Sequence, residues 1–233
     1  MKKRLAVLLF AGTGMLFAGD LISLAPYPWM TVGYSGNALV FNTSCDKLPY
    51  DDPFYHAQGD TTGFIKVMEY VPDAATGDLY SILFSMGESG DSQYLFFLEG
   101  EFRNPAFILH ADHLTFSGDG LVIARGSTNQ MFTRSRKFRI DRGKIREMPQ
   151  PFYAVDLESQ ATRDFPVFES KKMKKILTEV HRGEALTVLA AEFKPEYRYY
   201  LIRTSLGLCG WIRVEREVWV DETPVKDLYY HGD

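Results

Sequence analysis

The spacing of apolar residues is the feature that most limits what this chain can fold into. From Ala38 to Pro149, short apolar runs alternate with clusters of Gly, Asp, Asn and Ser, and the i, i+3, i+4 periodicity of an amphipathic helix is almost absent. The runs are rich in β-branched and aromatic residues, which favour strands. The predicted strands cover residues 38–41, 64–71, 79–85, 93–99, 114–117, 121–125 and 136–140.

The segments between these runs have the composition of hairpin turns. Residues 72–78, 87–91, 117–120 and 141–144 contain Gly, Asp or Asn, which tolerate positive φ or bond their own backbone. Sequential hairpins predict an antiparallel meander. We therefore expect an all-β chain with an antiparallel β-sandwich or barrel over residues 37–159, and the strand pattern leaves those two forms open.

The N-terminus has the three-part layout of a secretory signal peptide. Lys2, Lys3 and Arg4 precede an apolar run over residues 5–17, which ends in the small residues Ala18 and Gly19. We expect cleavage after residue 18 and an exported protein, periplasmic or extracellular, without a membrane span after cleavage. An uncleaved anchor is the alternative. The Pro-rich residues 19–36 predict an extended N-terminal arm.

Composition and charge exclude some functions. With 45% hydrophobic and 24% charged residues, the chain has ordinary globular composition and enough length for two domains. Its formal net charge is −4, and loss of a basic leader makes the remainder more acidic. An acidic chain does not favour non-specific binding to nucleic acid or to an anionic membrane, so no nucleic-acid partner is expected.

The C-terminal part contains short apolar strands, separated by the charged turn Arg182-Gly183-Glu184, a long polar loop and a turn at Gly207 that leads into Gly210-Trp211. Over residues 166–214 this pattern resembles a bacterial SH3-like (SH3b) domain, a module of exported proteins. The resemblance implies a small SH3-like barrel over residues 160–220, followed by a tail at 221–233. A broader similarity to exported bacterial proteins, over about residues 110–214, implies no activity.

Strand parity makes a geometric prediction around Trp211. Leu208, Gly210, Ile212 and Val214 fall on one strand face and should point into the barrel core, whereas Cys209, Trp211 and Arg213 fall on the other. Trp211 would then lie in a groove near Tyr197, Tyr199 and Tyr200. In the families that this module resembles, such grooves bind peptides or cell-wall stems. The alternative is that Trp211 packs against a neighbouring domain.

A basic run is the main charge anomaly of this acidic chain. It includes Arg134, Arg136, Lys137 and Arg139, so both faces of one strand carry positive charge. Such a strand suits a sheet edge, where charge blocks edge-to-edge aggregation, or an anion site, because guanidinium groups bind carboxylates and phosphates bidentately. Four lysines within residues 171–175 predict a solvated loop tip.

The two cysteines, Cys45 and Cys209, allow either one disulfide or two free thiols, and the sequence leaves both open. Residues 205–213 superficially resemble the cysteine motif of L,D-transpeptidases, but no His lies close before Cys209. Cys45 precedes a predicted loop rather than the helix that lowers the pKa of a papain-like nucleophile. No catalytic residue is therefore predicted.

His110, Asp112 and His113 are three potential metal ligands within four residues. On one strand only His110 and Asp112 would share a face, which is too few for zinc. We expect neither a metal site nor a cofactor.

Together these observations predict a non-catalytic binding or scaffolding protein of the bacterial cell envelope. Its expected partner is a peptide, peptidoglycan or an envelope protein. One alternative is a cysteine-dependent cell-wall hydrolase or transpeptidase, whose nucleophile is Cys45 or Cys209 and whose base is one of the five histidines. The other is a purely structural protein, with the barrel packed on the N-terminal domain.

Overall fold

The structure is a computed structural model that describes residues 19–24, 27–35, 37–49, 51–53, 63–86, 92–127, 132–215 and 222–229. The predicted signal peptide, His56, and residues 221 and 230–233 of the predicted C-terminal tail lie outside these residues. The rest of that predicted tail, residues 222–229, is not a free tail, because Val225 and Leu228 are buried and Val225 pairs with Ala161. Strands dominate the described chain, so the prediction of an all-β fold is confirmed.

The strands are numbered in chain order. They are β1 (Gly19–Leu24), β2 (Tyr27–Ser35), β3 (Leu39–Phe41), β4 (Asp46–Lys47), β5 (Ile65–Val71), β6 (Tyr80–Ser85), β7 (Gln93–Leu98), β8 (Phe107–His110), β9 (His113–Phe116), β10 (Leu121–Gly126), β11 (Arg134–Asp141), β12 (Lys144–Glu147), β13 (Tyr153–Gln160), β14 (Phe165–Phe168), β15 (Ile176–Val180), β16 (Ala185–Phe193), β17 (Tyr197–Thr204) and β18 (Cys209–Glu215). All seven predicted strands are present.

The strands form three sheets. The first has the order β1-β2-β9-β10-β11-β12, and the second has the order β3-β5-β6-β7-β8, with β4 also paired to β5. The third has the order β13-β16-β17-β18-β14-β15. By its internal contacts the chain divides into two units: residues up to Ala124 with Lys137–Glu147 form the first, and Arg125–Arg136 with residues from Met148 onward form the second.

In the first unit, the first two sheets share one apolar core, which is the arrangement of a β-sandwich. Phe116 of the first sheet and Tyr70 of the second are fully buried, and their ring centroids lie 4.6 Å apart. Large aromatic rings supply much of the buried apolar area of such a core. The other face of the second sheet has its own smaller cluster, which contains Phe64, Leu83 and Phe97.

Two features of the first sheet differ from the sequence prediction. Residues 19–36 are not a free arm, because β1 and β2 pair with each other and β2 continues the sheet through β9. Met30 and Val32 are buried, as the alternation of a half-buried strand requires. Pro28 lies beside a register shift between Ser23 and Leu24, where the ladder is irregular. In addition, β2 and β9 pair in parallel, so the meander is not purely antiparallel.

The basic strand is not a sheet edge, contrary to one of its two predicted roles. β11 lies between β10 and β12, and its inner face buries Phe138 and Ile140. The edge is β12, a short strand with Lys144, Arg146 and Glu147 exposed. A short, charged edge strand blocks pairing with another sheet edge.

Within its described residues, the second unit contains one six-stranded sheet around one core, which includes Val167, Val188, Ile202 and Ile212. The unit begins earlier than the boundary expected near residue 160, because Tyr153–Gln160 is a full strand that pairs with β16. The short stretch before Lys137 also belongs to this unit, since Phe132 is only 3% exposed within its core.

We predict that Gly118→Ala destabilises the first unit more than Gly100→Ala. Both glycines have positive φ, +84° and +80°, so either substitution strains the backbone by about 1–2 kcal/mol. A Cβ at Gly118 would also lie 2.6 Å from the backbone of Asn37, whereas one at Gly100 would meet nothing within 4 Å. Urea denaturation should show a further loss of about 1–3 kcal/mol for Gly118→Ala. Equal losses would contradict the steric explanation.

Candidate functional site

The two faces of β18 divide as strand parity predicts. Gly210, Ile212 and Val214 are buried, whereas Trp211 is half-buried and Arg213 is exposed. The prediction for Leu208 is wrong. It precedes the strand, in the turn after Thr204, where its N–H donates to Thr204 Oγ1 at 3.2 Å, and its side chain is 40% exposed.

Gly210 holds Trp211 in place through a close backbone approach. A Cβ at Gly210 would lie 2.6 Å from Val167 Cγ1 and 2.8 Å from the Phe168 carbonyl oxygen. Only a residue without a side chain lets β18 and β14 meet there. Their pairing sets Trp211 directly opposite Phe168.

Three of the four predicted ligand-binding aromatics lie on the outer face of this sheet. Trp211 is opposite Leu201, and Tyr199 is opposite Arg213. Because directly opposed residues point to the same side, Trp211 and Tyr199 share a face, and Tyr197, two positions from Tyr199, shares it too.

The fourth aromatic, Tyr200, is not part of that surface. It is fully buried in the core of the unit, because it follows Tyr199 and therefore points to the opposite side of the strand.

A residue that the sequence analysis left out completes this surface. The Phe152 ring is 45% exposed, and its centroid lies 5.9 Å from that of Trp211. We call Phe152, Tyr197, Tyr199 and Trp211 the aromatic face. Phe152 is an aromatic residue between Pro151 and a strand, which is a weak signal, and no local pattern relates it to Trp211.

Lys171 lies against two rings of the aromatic face. Its Nζ is 4.9 Å from the Phe152 centroid and 5.2 Å from the Trp211 centroid, which is cation–π geometry. The same ammonium forms an ion pair with Glu192. Lys171 is therefore not the freely solvated tip that the run of lysines predicts. Nearby, the Arg213 guanidinium stacks over Tyr197 at 4.6 Å.

Glu192 joins two cations beside the aromatic face. It accepts from Lys171 and from Lys194, the latter at 2.8 Å, and the Lys171 bond is the main cause that holds the pKa of Glu192 below its ordinary value. The carboxylate therefore remains charged at neutral pH and holds Lys171 over the rings.

The four basic residues predicted as an anion site divide between the two units. Arg134 and Arg136 belong to the second unit, whereas Lys137 and Arg139 belong to the first. Arg139 donates to the Asp119 carbonyl oxygen at 3.4 Å. In the second unit, Arg134 lies over the Tyr153 ring at 5.6 Å from its centroid. Anion binding by all four residues stays a prediction.

Cys45 is half-buried in the first unit and Cys209 is exposed in the second, and both are free thiols. Burial, with a smaller contribution from Asp46, raises the pKa of Cys45 to about 11. A nucleophilic cysteine needs a shift in the opposite direction. The environment of Cys45 therefore disfavours thiolate chemistry.

The three potential metal ligands lie at a sheet-to-sheet connection. His110 ends β8 in the second sheet and His113 begins β9 in the first, so Asp112 lies between strands and not on one. His113 Nδ1 is hydrogen-bonded to Thr31 Oγ1 at 2.5 Å. Among the described residues, no group of three or more His, Cys, Asp or Glu side chains could hold a metal ion.

Comparison of the chain with protein-family models, curated proteins and solved structures gives no match. Within the described part of the chain, no helix has the length and apolar character that crossing a membrane requires.

We predict that the two thiols react at very different rates in the native protein. At pH 8, iodoacetamide should alkylate exposed Cys209 readily and Cys45 on the order of a hundred-fold more slowly than an unperturbed thiol, because a pKa raised by about two units lowers the thiolate fraction by that factor. Mass spectrometry of timed digests measures both rates, and denatured protein is the control. Rapid labelling of native Cys45 would show that its environment has been misread.

A second prediction concerns pH. Because the folded pKa of Glu192 is depressed, its stabilising contribution is present above the unfolded pKa and is lost as pH falls through the folded value. Glu192→Gln should reduce the free energy of unfolding by about 1 kcal/mol or less at pH 7, since Lys194 is half-exposed. Urea denaturation should show this difference shrinking towards zero in acid, below the folded pKa. A difference that is independent of pH would contradict a role for the carboxylate charge.

Proposed function

We propose that the protein is an exported, non-catalytic binding or scaffolding protein of the bacterial cell envelope. It recognises peptide or cell-wall material through the aromatic face of its second unit. The observation that carries this proposal is the exposed ring of Phe152 beside Trp211, with the Lys171 ammonium against both.

The aromatic face has the chemistry of a peptide-binding surface. Flat, rigid aromatic rings bury a large apolar area on binding and lose little conformational entropy. Lys171 and Arg213 add positive charge at the same surface, where the carboxylate groups of a peptide or cell-wall stem would be attracted. A ligand would desolvate the rings and pair with these cations.

The SH3-like assignment of the second unit is part of the proposal. It is supported by an antiparallel sheet around one small core, and by the turn at Gly207 that leads into Gly210-Trp211. Export is supported by the basic and apolar layout of residues 1–18. A cysteine-dependent hydrolase is the weaker candidate, because the pKa of Cys45 is raised and not lowered.

The direct test is binding of the full-length mature chain to purified peptidoglycan in a sedimentation assay. Trp211→Ala and Phe152→Ala should each weaken binding by about tenfold or more, because each removes a ring from the contact surface. Leu206→Ala is the matched control: this side chain is in the same unit, is 81% exposed, and should have no effect.

Circular dichroism of each variant checks that the fold is intact. If peptidoglycan binds the wild type and the Trp211 variant equally well, the aromatic face is not the binding surface. If the wild type does not bind at all, cell-wall material is not the ligand.

A further inference from the structure

Two arginines of the second unit converge on one aromatic ring, on the side of the sheet opposite the aromatic face. The Arg134 guanidinium carbon lies 4.7 Å from the Phe193 centroid, and that of Arg198 lies 5.6 Å from the same centroid. Arg198 is directly opposite Phe193 in the β16–β17 ladder. We call Arg134 and Arg198 the arginine pair.

The segment before β11 brings Arg134 to this place. Phe132 is buried in the core of the unit, and its ring stands edge-on to Tyr200, with centroids 6.1 Å apart. Two residues further on, Arg134 lies over Tyr153 and Phe193. The anchor at Phe132 therefore fixes the first arginine beside the second.

Arg198 is a buried charge with no counter-charge among the described residues. It is only 8% exposed, and no carboxylate in the described part of the chain lies within 4.0 Å of its guanidinium group. Burial of an unpaired charge costs several kcal/mol, and stacking on Phe193 offsets only about 0.5–2 kcal/mol of that cost. A guanidinium in this position is stabilised by an anion.

A hydroxyl group completes the constellation. Tyr200 Oη is buried beside both guanidinium groups and makes no hydrogen bond of normal geometry within the described chain. Burial raises the pKa of Tyr200, against the opposing effect of Arg198 and Arg134, so the hydroxyl keeps its proton at neutral pH. It is therefore available as a hydrogen-bond donor to an oxyanion.

We propose that Arg134, Arg198 and Tyr200 form a binding site for one oxyanion, a carboxylate or phosphate group, with the rings of Tyr153 and Phe193 as its apolar walls. The two planar guanidinium groups can only donate hydrogen bonds, and the phenol hydroxyl can donate one. All three therefore match the acceptor oxygens of such a group. Arg134 and Phe193 are half-buried, so the anion reaches the site from their side. This site is independent of the aromatic face.

Thermal unfolding of the full chain tests the proposal, with inorganic phosphate and acetate as probes at constant ionic strength in sodium chloride. Binding to the folded state should raise the Tm in a saturable manner by about 3 °C or more for at least one of the two anions. The probe that gives the larger rise identifies the anion class. The general salting-out effect of phosphate does not saturate and is thereby distinguished.

Three variants assign the effect to residues. Arg198→Met keeps an unbranched stem and removes the buried charge, and Arg134→Gln changes a half-exposed residue, so both should fold and lose the saturable rise. Arg203→Gln is the matched control. It removes an exposed guanidinium from the same strand as Arg198, outside both the aromatic face and the arginine pair, and it should keep the rise.

The proposal is overturned if neither anion gives a saturable rise in the wild type, or if the rise survives in Arg134→Gln. If Arg198→Met does not fold, Arg134→Gln decides alone. Loss of the rise in Arg203→Gln as well would show a general charge effect and would also overturn the proposal. None of these results depends on whether peptidoglycan binds the aromatic face.

Discussion

The organisation of the second unit depends on one steric constraint, the close approach of β18 to β14 at Gly210. The space where a Cβ would stand is already taken by Val167 and by the carbonyl oxygen of Phe168. This contact fixes the register in which Phe168 faces Trp211, and the ladder between β18 and β17 then carries that register to Tyr197 and Arg198. The placement of Trp211 on β18, and of the candidates on β17 opposite it, follows from the meeting of these two strands.

A single register gives the sheet two chemically different faces. On β17, Tyr197 and Tyr199 point outward beside Trp211, whereas Arg198 and Tyr200 point inward. Because side chains alternate strictly along a strand, a slip of one residue would exchange the two sets and bury the wrong one. The outer set offers rings with adjacent cations, and the inner set offers guanidinium groups beside a buried hydroxyl. Each surface is therefore specified by the same alternation.

The sequence predicts the local part of this fold well. The strands around Tyr70, Tyr80 and Ile140 are recovered because they combine β-branched or aromatic residues with flanking turn residues. Parity alone predicts that Ile212 is buried and Arg213 exposed. Strands β1 and β2 are missed because their prolines suggest an arm, and the irregular ladder that accommodates Pro28 depends on the partner strand.

Long-range contacts account for what the sequence does not predict. Lys171 and Phe152 lie far from Trp211 along the chain, and only the folded sheet brings them to it. The same holds for Arg134 and Arg198, which local charge patterning assigns to unrelated segments. A run of basic residues shows the net charge of a segment, but whether each cation is paired depends on its neighbours in space. Tyr200 illustrates this point, since one position along the strand separates it from the exposed face.

The two cation sites of the second unit differ in a way that electrostatics explains. Lys171 is partly exposed and paired with Glu192, so its charge is compensated within the protein and still accessible at the aromatic face. Arg198 is buried, and no described carboxylate compensates it. In a low-dielectric environment such a charge is costly in the free protein and is stabilised strongly by a bound anion, because the same burial that raises the cost also strengthens the attraction. A lysine would relieve that cost by releasing its proton, but a guanidinium keeps its charge, so an arginine at this position keeps a cost that a bound anion would offset.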